Sequence, residues 1–351
     1  TFAKKYTANP RIRQILGYPA VFLGSSPYIA PSMFHLMSHL DLQDGVLYAE
    51  GGFTRVIDSM REIIEDHGVT IMTGTKVTAI ATERSGGKAK ATGITYKDAD
   101  GHTHTLAADM VVSTTDLHHS ETTLLPPELQ TYPQKWWDKK VAGPSAVLLY
   151  LGVKGEVPEL LHHSLFFTQD WDSNFSQIFA DKPTVPSPAS LYVCKPSATD
   201  SSVAPKGHTN LFVLVPMPAD VGLGHGGLDG TGDAQVEGIA DRAIEQIMRW
   251  SGATDLADRI VVRRSVGPAD FAGELNAWKG TALGPAHTLM QSALFRAGNV
   301  SKKVDSLYYA GSSTIPGIGL PMCLISAEVL LKRVRGDVST GPLPEPLVPA
   351  S

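Results

Sequence analysis

Two windows of the chain place apolar residues on one face at i, i+3, i+4 and i+7. Phe53, Val56, Ile57, Met60, Ile63, Ile64 and His67 form the first face, and Gly68 follows as a C-terminal glycine should. Val236, Ile239, Ala240, Ala243, Ile244, Ile247 and Met248 form the second, over residues 234–250. Shorter helices are expected over 11–16 and 30–40, the latter with Pro31 near its start. Continuous apolar runs at 145–153 and 211–215 read as buried strands. Strands are also expected at 69–72, 76–81 and 108–116. Asp98-Ala99-Asp100-Gly101 reads as a hairpin turn between strands at 91–96 and 103–106. The Pro- and Ser-rich stretch 181–206 reads as surface loops.

The most structured pattern lies near the C-terminus. Leu307 to Ala310 have the composition of a buried strand, and Gly311 stops it. Pro316, Gly317 and Gly319 allow a tight turn that brings backbone close to a neighbour. Pro321 suits the first turn of a helix, and Met322, Ile325, Val329 and Leu330 then recur at helical spacing. A helix start lined by glycine offers unpaired N–H groups and a positive dipole end, which suits an anionic or electron-rich ligand.

Composition narrows the options without choosing among them. With 351 residues there is room for about two domains. A net charge of −5 and the lack of a basic run argue against a nucleic-acid partner. Cys194 and Cys323 are far apart, so neither a disulfide framework nor a metal site is expected, and inert thiols in a reducing compartment are the default. His35 and His39 share a helical face but lack the acidic companions of a zinc motif. The apolar runs fall short of the ~20 residues that span a bilayer. No G-x-G-x-x-G follows a strand near the start, and Gly222-Leu223-Gly224-His225-Gly226-Gly227 reads as a loop.

The residues 307–327, Leu-Tyr-Tyr-Ala-Gly-Ser-Ser-Thr-Ile-Pro-Gly-Ile-Gly-Leu-Pro-Met-Cys-Leu-Ile-Ser-Ala, resemble the C-terminal flavin-binding signature of the carotenoid (phytoene) desaturases, which belong to the FAD-dependent amine-oxidase-like flavoproteins. Three further stretches are similar to that family. Residues 24–32, Gly-Ser-Ser-Pro-Tyr-Ile-Ala-Pro-Ser, match the segment beside its substrate tunnel. Gly51 and Gly52 match its glycine pair near the flavin, with the strand around Val77 bordering the adenine. Trp278, Gly280, Gly284, Gln291, Phe295, Arg296 and Asn299 match an element just upstream of the signature. Ala297 stands where that element usually has proline. Ile315 stands where many members have histidine, so no acid–base role carries over there.

The resemblance implies an α/β (α+β mixed) flavoprotein fold of Rossmann-like type, incomplete at the N-terminus, with an interleaved substrate domain. The expected division is 1–45 as a helical substrate-side segment, 46–120 as part of the FAD domain, 121–300 as the substrate domain, 301–336 as the FAD-domain signature and helix, and 337–351 as a disordered tail. Because the dinucleotide fingerprint of the family is not seen, the chain reads as the C-terminal part of a longer enzyme. FAD is the implied cofactor, held by Gly51, Gly52, Val77, Gly311, Ser312, Gly317, Ile318, Gly319, Leu320, Pro321 and Met322. The implied reaction is desaturation of a C40-type polyene such as phytoene by hydride transfer to the flavin, with a quinone or oxygen as electron acceptor. A hydrocarbon of that kind lives in membrane, so cytoplasmic, peripheral docking on a bilayer surface is expected. No catalytic residue is assigned. Other readings are a carotenoid isomerase, a retinol saturase, an amine oxidase, or a non-catalytic polyene-binding fragment.

Overall fold

The computed structural model describes residues 2–84 and 86–344. The expected tail falls partly at 345–351, outside the described residues. The chain opens with helices α1 (Pro10–Gly17) and α2 (His35–Gln43), the latter preceded by a 3₁₀ turn at Ser32–Phe34. Asn9 caps α1 through its side chain, and Ser38 of α2 donates to Leu16 O at 2.9 Å, which pins the two helices together. Helix α3 (Phe53–Asp66) begins at Gly52 and ends before Gly68, where its apolar pattern stops. Its apolar face is uncovered: Phe53, Ile57 and Ile63 are each more than half exposed.

Strands β1 (Lys76–Glu83), β2 (Ala89–Lys97) and β3 (Thr103–Ala107) form an antiparallel meander around the expected Asp98–Gly101 turn. β4 (Val111–Ser113) follows, then α4 (Leu117–Thr122) and α5 (Gln134–Trp137). Two expectations fail here. Residues 69–72 are not a strand: Val69, Ile71 and Met72 are exposed, and their backbone has no neighbouring strand to pair with among the described residues. The strand expected over 108–116 shrinks to β4, because Asp116 turns its side chain onto the N–H groups of His118 and His119 and starts α4 instead.

The second layer is a five-stranded antiparallel sheet. It contains β5 (Ser145–Lys154), β6 (His163–Phe166), β7 (Leu191–Cys194), β8 (His208–Met217) and β9 (Ile260–Val266), in the order β6-β7-β8-β5-β9. Helix α6 (Trp171–Phe179) connects β6 to β7, and α7 (Ala234–Ser251) connects β8 to β9. Strand alternation sorts its two faces. Val147, Leu149, Leu151 and Val153 of β5 and Leu211, Val213, Val215 and Met217 of β8 are buried in one core with Val236, Ile239, Ala243 and Ile247 of α7. The opposite face carries Ala146, Tyr192, Leu214 and Pro216 and looks toward Tyr18, Val21 and Phe22, which follow α1. The loop reading of 181–206 is therefore corrected: it contains β7, whose buried Leu191 and Val193 are too short an alternation to stand out among prolines and serines.

Helix α8 (Pro268–Leu275), β10 (Val304–Asp305), β11 (Leu307–Tyr309) and α9 (Leu320–Arg335) complete the fold. β11 runs parallel to β4, with Leu307, Tyr308 and Tyr309 opposite Val111, Val112 and Ser113. Pro321 lies in the first turn of α9, and Gly336 closes it in the left-handed conformation. No helix among the described residues is long and apolar enough to cross a membrane.

Candidate active site

The carboxyl ends of the parallel pair β4 and β11 lie side by side, the position where open α/β sheets bind ligands. A cleft of about 380 Å³ opens there, lined by Ser113–Asp116 after β4, Ala310 and Ser312–Thr314 after β11, and Thr281–Gly284. It shares Ser113–Thr115, Glu274 and Asn276 with an adjoining cleft of about 520 Å³ that reaches Val77 on β1. Both volumes fall in the usual range for small-molecule sites, ~300–1,000 Å³.

A buried polar knot holds the turn beside this cleft. Ser326 Oγ in α9 accepts from Gly311 N and from Asn299 Nδ2, each at 3.1 Å, and pairs with Thr314 Oγ1 at 2.9 Å. Asn299 also donates to Tyr309 O at 3.1 Å. Strand, turn and helix are thereby tied at one point that is sealed from solvent. The expected conformation of the glycines is present: Gly311, Gly317 and Gly319 have φ of 117°, 145° and 120°. Gly319 is the N-cap of α9 and has no side chain to satisfy the first-turn N–H groups, which leaves them for a ligand.

Arg296 is buried beneath the turn. Its guanidinium donates to Ser312 O at 2.7 and 3.0 Å, to Gln291 O at 2.9 Å and to Pro285 O at 3.2 Å. Burial pulls it down to about 10, still a cation at neutral pH. Its hydrogen bonds all go to carbonyls, and its charge acts on its neighbours His287 and Cys323.

His287 had no signal in the sequence. Its Nδ1–H donates to Leu23 O at 2.9 Å, leaving Nε2 as the lone pair, and its ring packs 5.2 Å from that of Phe34. A Cβ built on Gly317 would lie 2.3 Å from His287 Nε2, so only glycine fits there. Burial and the nearby Arg296 push His287 down to about 4. Its folded value thus lies below the unfolded 6.5, and the unfolded chain takes up the proton first as pH falls. The stabilisation is intact above pH ~6.5 and is lost toward pH 4, a span of about 3 kcal/mol. His287→Gln is expected to flatten this part of the acid sensitivity in urea unfolding between pH 7 and pH 4.5. An identical loss in both proteins would refute the assignment.

Asp116 is a scaffold residue. One carboxyl oxygen caps α4 and the other accepts from Trp278 N at 3.3 Å, and burial pushes its pKa up. Glu121, which sequence reasoning also missed, is fully buried, accepts from Tyr132 N at 2.8 Å and from the hydroxyl of Tyr309, and is likewise pushed up by burial.

The cleft adjoins an apolar cavity of about 190 Å³ at Ala282 and Leu283, which line both. Phe22, Phe167, Trp171, Phe175, Tyr192 and Leu214 are among the residues of its wall. Trp171 meets Phe167 and Phe175 edge-on, with centroids 5.9 and 5.1 Å apart. Gly24 brings the N-terminal segment against the turn: a Cβ there would lie 3.1 Å from Ile318 Cδ1 and 3.4 Å from Leu283 Cβ.

Among the residues expected to hold cofactor, Ser312 and Val77 line the joined clefts, and Gly311 sits at their edge in the polar knot. Gly317, Ile318, Gly319, Leu320, Pro321 and Met322 form the turn and first turn of α9 behind it. Gly51 and Gly52 are not among the lining residues. Gly51 N donates to Asp200 Oδ2 at 2.7 Å, beyond the end of β7, and Gly52 starts α3. A cleft of this size at the carboxyl ends of two parallel strands, with a glycine-walled turn and an uncapped helix start behind it, fits a flavin cofactor.

Comparison with known proteins agrees with this geometry. The model of the family described as flavin containing amine oxidoreductase matches residues 4–328. The chain is 41% identical to a carotenoid 3,4-desaturase of Haloarcula japonica, covering 95% of this chain and 64% of that protein. It is 33% identical to a zeta-carotene-forming phytoene desaturase of Myxococcus xanthus and 30% identical to a phytoene desaturase of Fusarium fujikuroi, covering 94% and 96% of this chain and 60% of each relative. The chain thus spans less than two thirds of the length of these relatives. An oxidoreductase of Methanosarcina mazei has a similar fold, with a TM-score of 0.61 at 16% identity over 94% of this chain and 67% of that one.

Proposed function

The chain belongs to the flavin containing amine oxidoreductase family, and on that premise we propose that it takes part in FAD-dependent desaturation of a long hydrophobic polyene of the carotenoid class. FAD is the cofactor that the family and these relatives support. When bound, it supplies the acceptor for the hydride lost from an allylic C–H, while a proton leaves the neighbouring carbon and a new C=C bond forms.

The observation that carries this reading is the junction at Ala282 and Leu283, where a polar cleft meets an aromatic cavity. The two halves of the site do different work. The carboxyl ends of β4 and β11 shape the cleft, and the uncapped start of α9 favours a ligand that carries negative charge. The cavity offers a hydrocarbon shape and apolar burial, the only handles such a substrate has. At about 190 Å³ it is smaller than a typical ligand pocket, ~300–1,000 Å³. It therefore receives one end of a long polyene. Leu283 lies between that end and the cleft, and Leu283 and Ile318 both lie close to Gly24.

A polyene arrives from a bilayer. Met33, Leu36, Leu40 and Leu47, around α2 and the loop after it, are all more than two fifths exposed and form the surface we assign to membrane contact. Replacing Leu36 and Leu40 by Asp is expected to lower co-sedimentation with vesicles at least about tenfold. Unchanged partitioning would remove this surface from the account.

The function itself is tested by product. The FAD-loaded protein, given phytoene in vesicles with a quinone or under air, is expected to yield polyenes with longer absorption wavelengths, resolved by chromatography. Oxidation of a soluble amine with the polyene left unchanged would contradict the proposal.

A further inference from the structure

The open face of the five-stranded sheet carries a second cluster of chemical groups, which the proposed reaction does not use. In the register of β6 and β7, Leu165 pairs with Tyr192, and both line the apolar cavity. Two residues further along, His163 pairs with Cys194 on the same face. His162, just before β6, folds its ring back so that the two imidazole centroids are 4.4 Å apart. One ligand atom from each of His162, His163 and Cys194 lies within 4.8 Å of the other two. His162 Nε2 is shut off from solvent and has no hydrogen-bond partner among the described residues. Its Nδ1 is paired with Thr199 Oγ1 at 2.7 Å, and His163 Nδ1 with Tyr192 Oη at 2.7 Å. Metal-binding histidines are oriented in the same way, with the far ring nitrogen donating to an outer partner. Cys194 is a free thiol.

We propose that His162, His163 and Cys194 bind one zinc ion, with a fourth position open to water. Two imidazoles and a thiolate are a borderline-soft donor set that suits zinc. Tetrahedral zinc would hold these atoms about 3.5 Å apart, so the side chains close by about 1 Å on binding. The expectation of no metal site rested on the spacing along the chain, and only the pairing of β6 with β7 brings these residues together.

The site is placed to act on the cavity. Tyr192 forms part of the cavity wall and bonds His163, so a metal held by His163 fixes that tyrosine. The Tyr48 ring packs edge-on against His162 at 4.8 Å, and its hydroxyl donates to Asp200, which also accepts from Gly51 N. Zinc therefore joins the edge of the sheet to the Tyr48–Gly52 loop and sets the shape of the polyene cavity from outside the reacting centre.

The effect on a polyene rests on the proposed function, but zinc binding itself does not, and metal titration tests it without substrate. The 351-residue chain, prepared without a histidine tag and stripped with a chelator, is titrated with Co²⁺ and then with Zn²⁺. One equivalent of Co²⁺ is expected to give the visible bands of a tetrahedral site together with a thiolate-to-cobalt charge-transfer band, both erased by one equivalent of Zn²⁺. Cys194→Ser removes the charge-transfer band. Thr199→Val, which leaves all three ligands in place, weakens Zn²⁺ binding about 10–100-fold. Far-ultraviolet circular dichroism verifies that each variant is folded. The absence of the cobalt bands at stoichiometric metal, or a charge-transfer band that survives in Cys194→Ser, overturns the proposal.

Discussion

Gly317→Val leaves the sheet domain folded but lowers FAD affinity by about two to three orders of magnitude. Two costs combine. A residue with a Cβ at φ 145° is strained by ~1–3 kcal/mol. The new side chain also begins 2.3 Å from His287 Nε2, and His287 cannot retreat because Leu23 O holds its other nitrogen and Phe34 packs on its ring. Each 1.4 kcal/mol is a factor of ten in affinity. Removing the obstacle recovers part of the loss: Gly317→Val combined with His287→Ala is expected to bind FAD about tenfold more tightly than Gly317→Val alone, since the overlap goes and the backbone strain stays. Flavin fluorescence quenching gives the affinities. An unchanged affinity in Gly317→Val would mean that the turn does not approach the cofactor.

Leu283→Glu has the opposite signature, with the flavin kept and turnover lost. Leu283 lines both the cleft and the apolar cavity. A carboxylate there must be stripped of water when a hydrocarbon enters, at a cost of several kcal/mol that the substrate cannot offset. The expected fall in kcat/KM is about 10²–10⁴-fold, with FAD affinity within tenfold of the parent. Leu283→Met, nearly equal in volume and still apolar, should stay within about tenfold in both measurements. If Leu283→Glu turns over normally, the polyene does not pass this point.

The parts of this site that the sequence made legible are those encoded by neighbours along the chain. The strand, glycine turn and helix of residues 307–336 have their apolar spacing, their glycines and Pro321 within one short stretch, and the structure shows the same order of elements. The long apolar runs of β5 and β8 and the stripe of α7 were legible for the same reason. β6 and β7 are short, and their burial pattern and that of the longer β9 depend on strands they meet only after folding. Residues 69–72 show the converse, an apolar run that reads as a strand but has no partner strand among the described residues. His287 and Glu121 are defined by contacts with Leu23 and Tyr309, far away in the chain, so no local pattern announces them. Arg296 is legible only as part of a family-like element, and its hydrogen bonds to the Ser312, Gln291 and Pro285 carbonyls make it a structural tie. Its burial, which the sequence does not announce, follows from those long-range carbonyl contacts.

The central claim is that a polyene held in the aromatic cavity reaches a flavin in the cleft past Ala282 and Leu283. The most direct measurement is the visible flavin spectrum of the FAD-loaded protein, mixed with phytoene under anaerobic conditions without any other electron acceptor. The account predicts bleaching of the oxidised flavin band in step with the appearance of a more conjugated polyene, and no bleaching in Leu283→Glu. A flavin band that stays oxidised while phytoene is bound, or bleaches equally in Leu283→Glu, would contradict it.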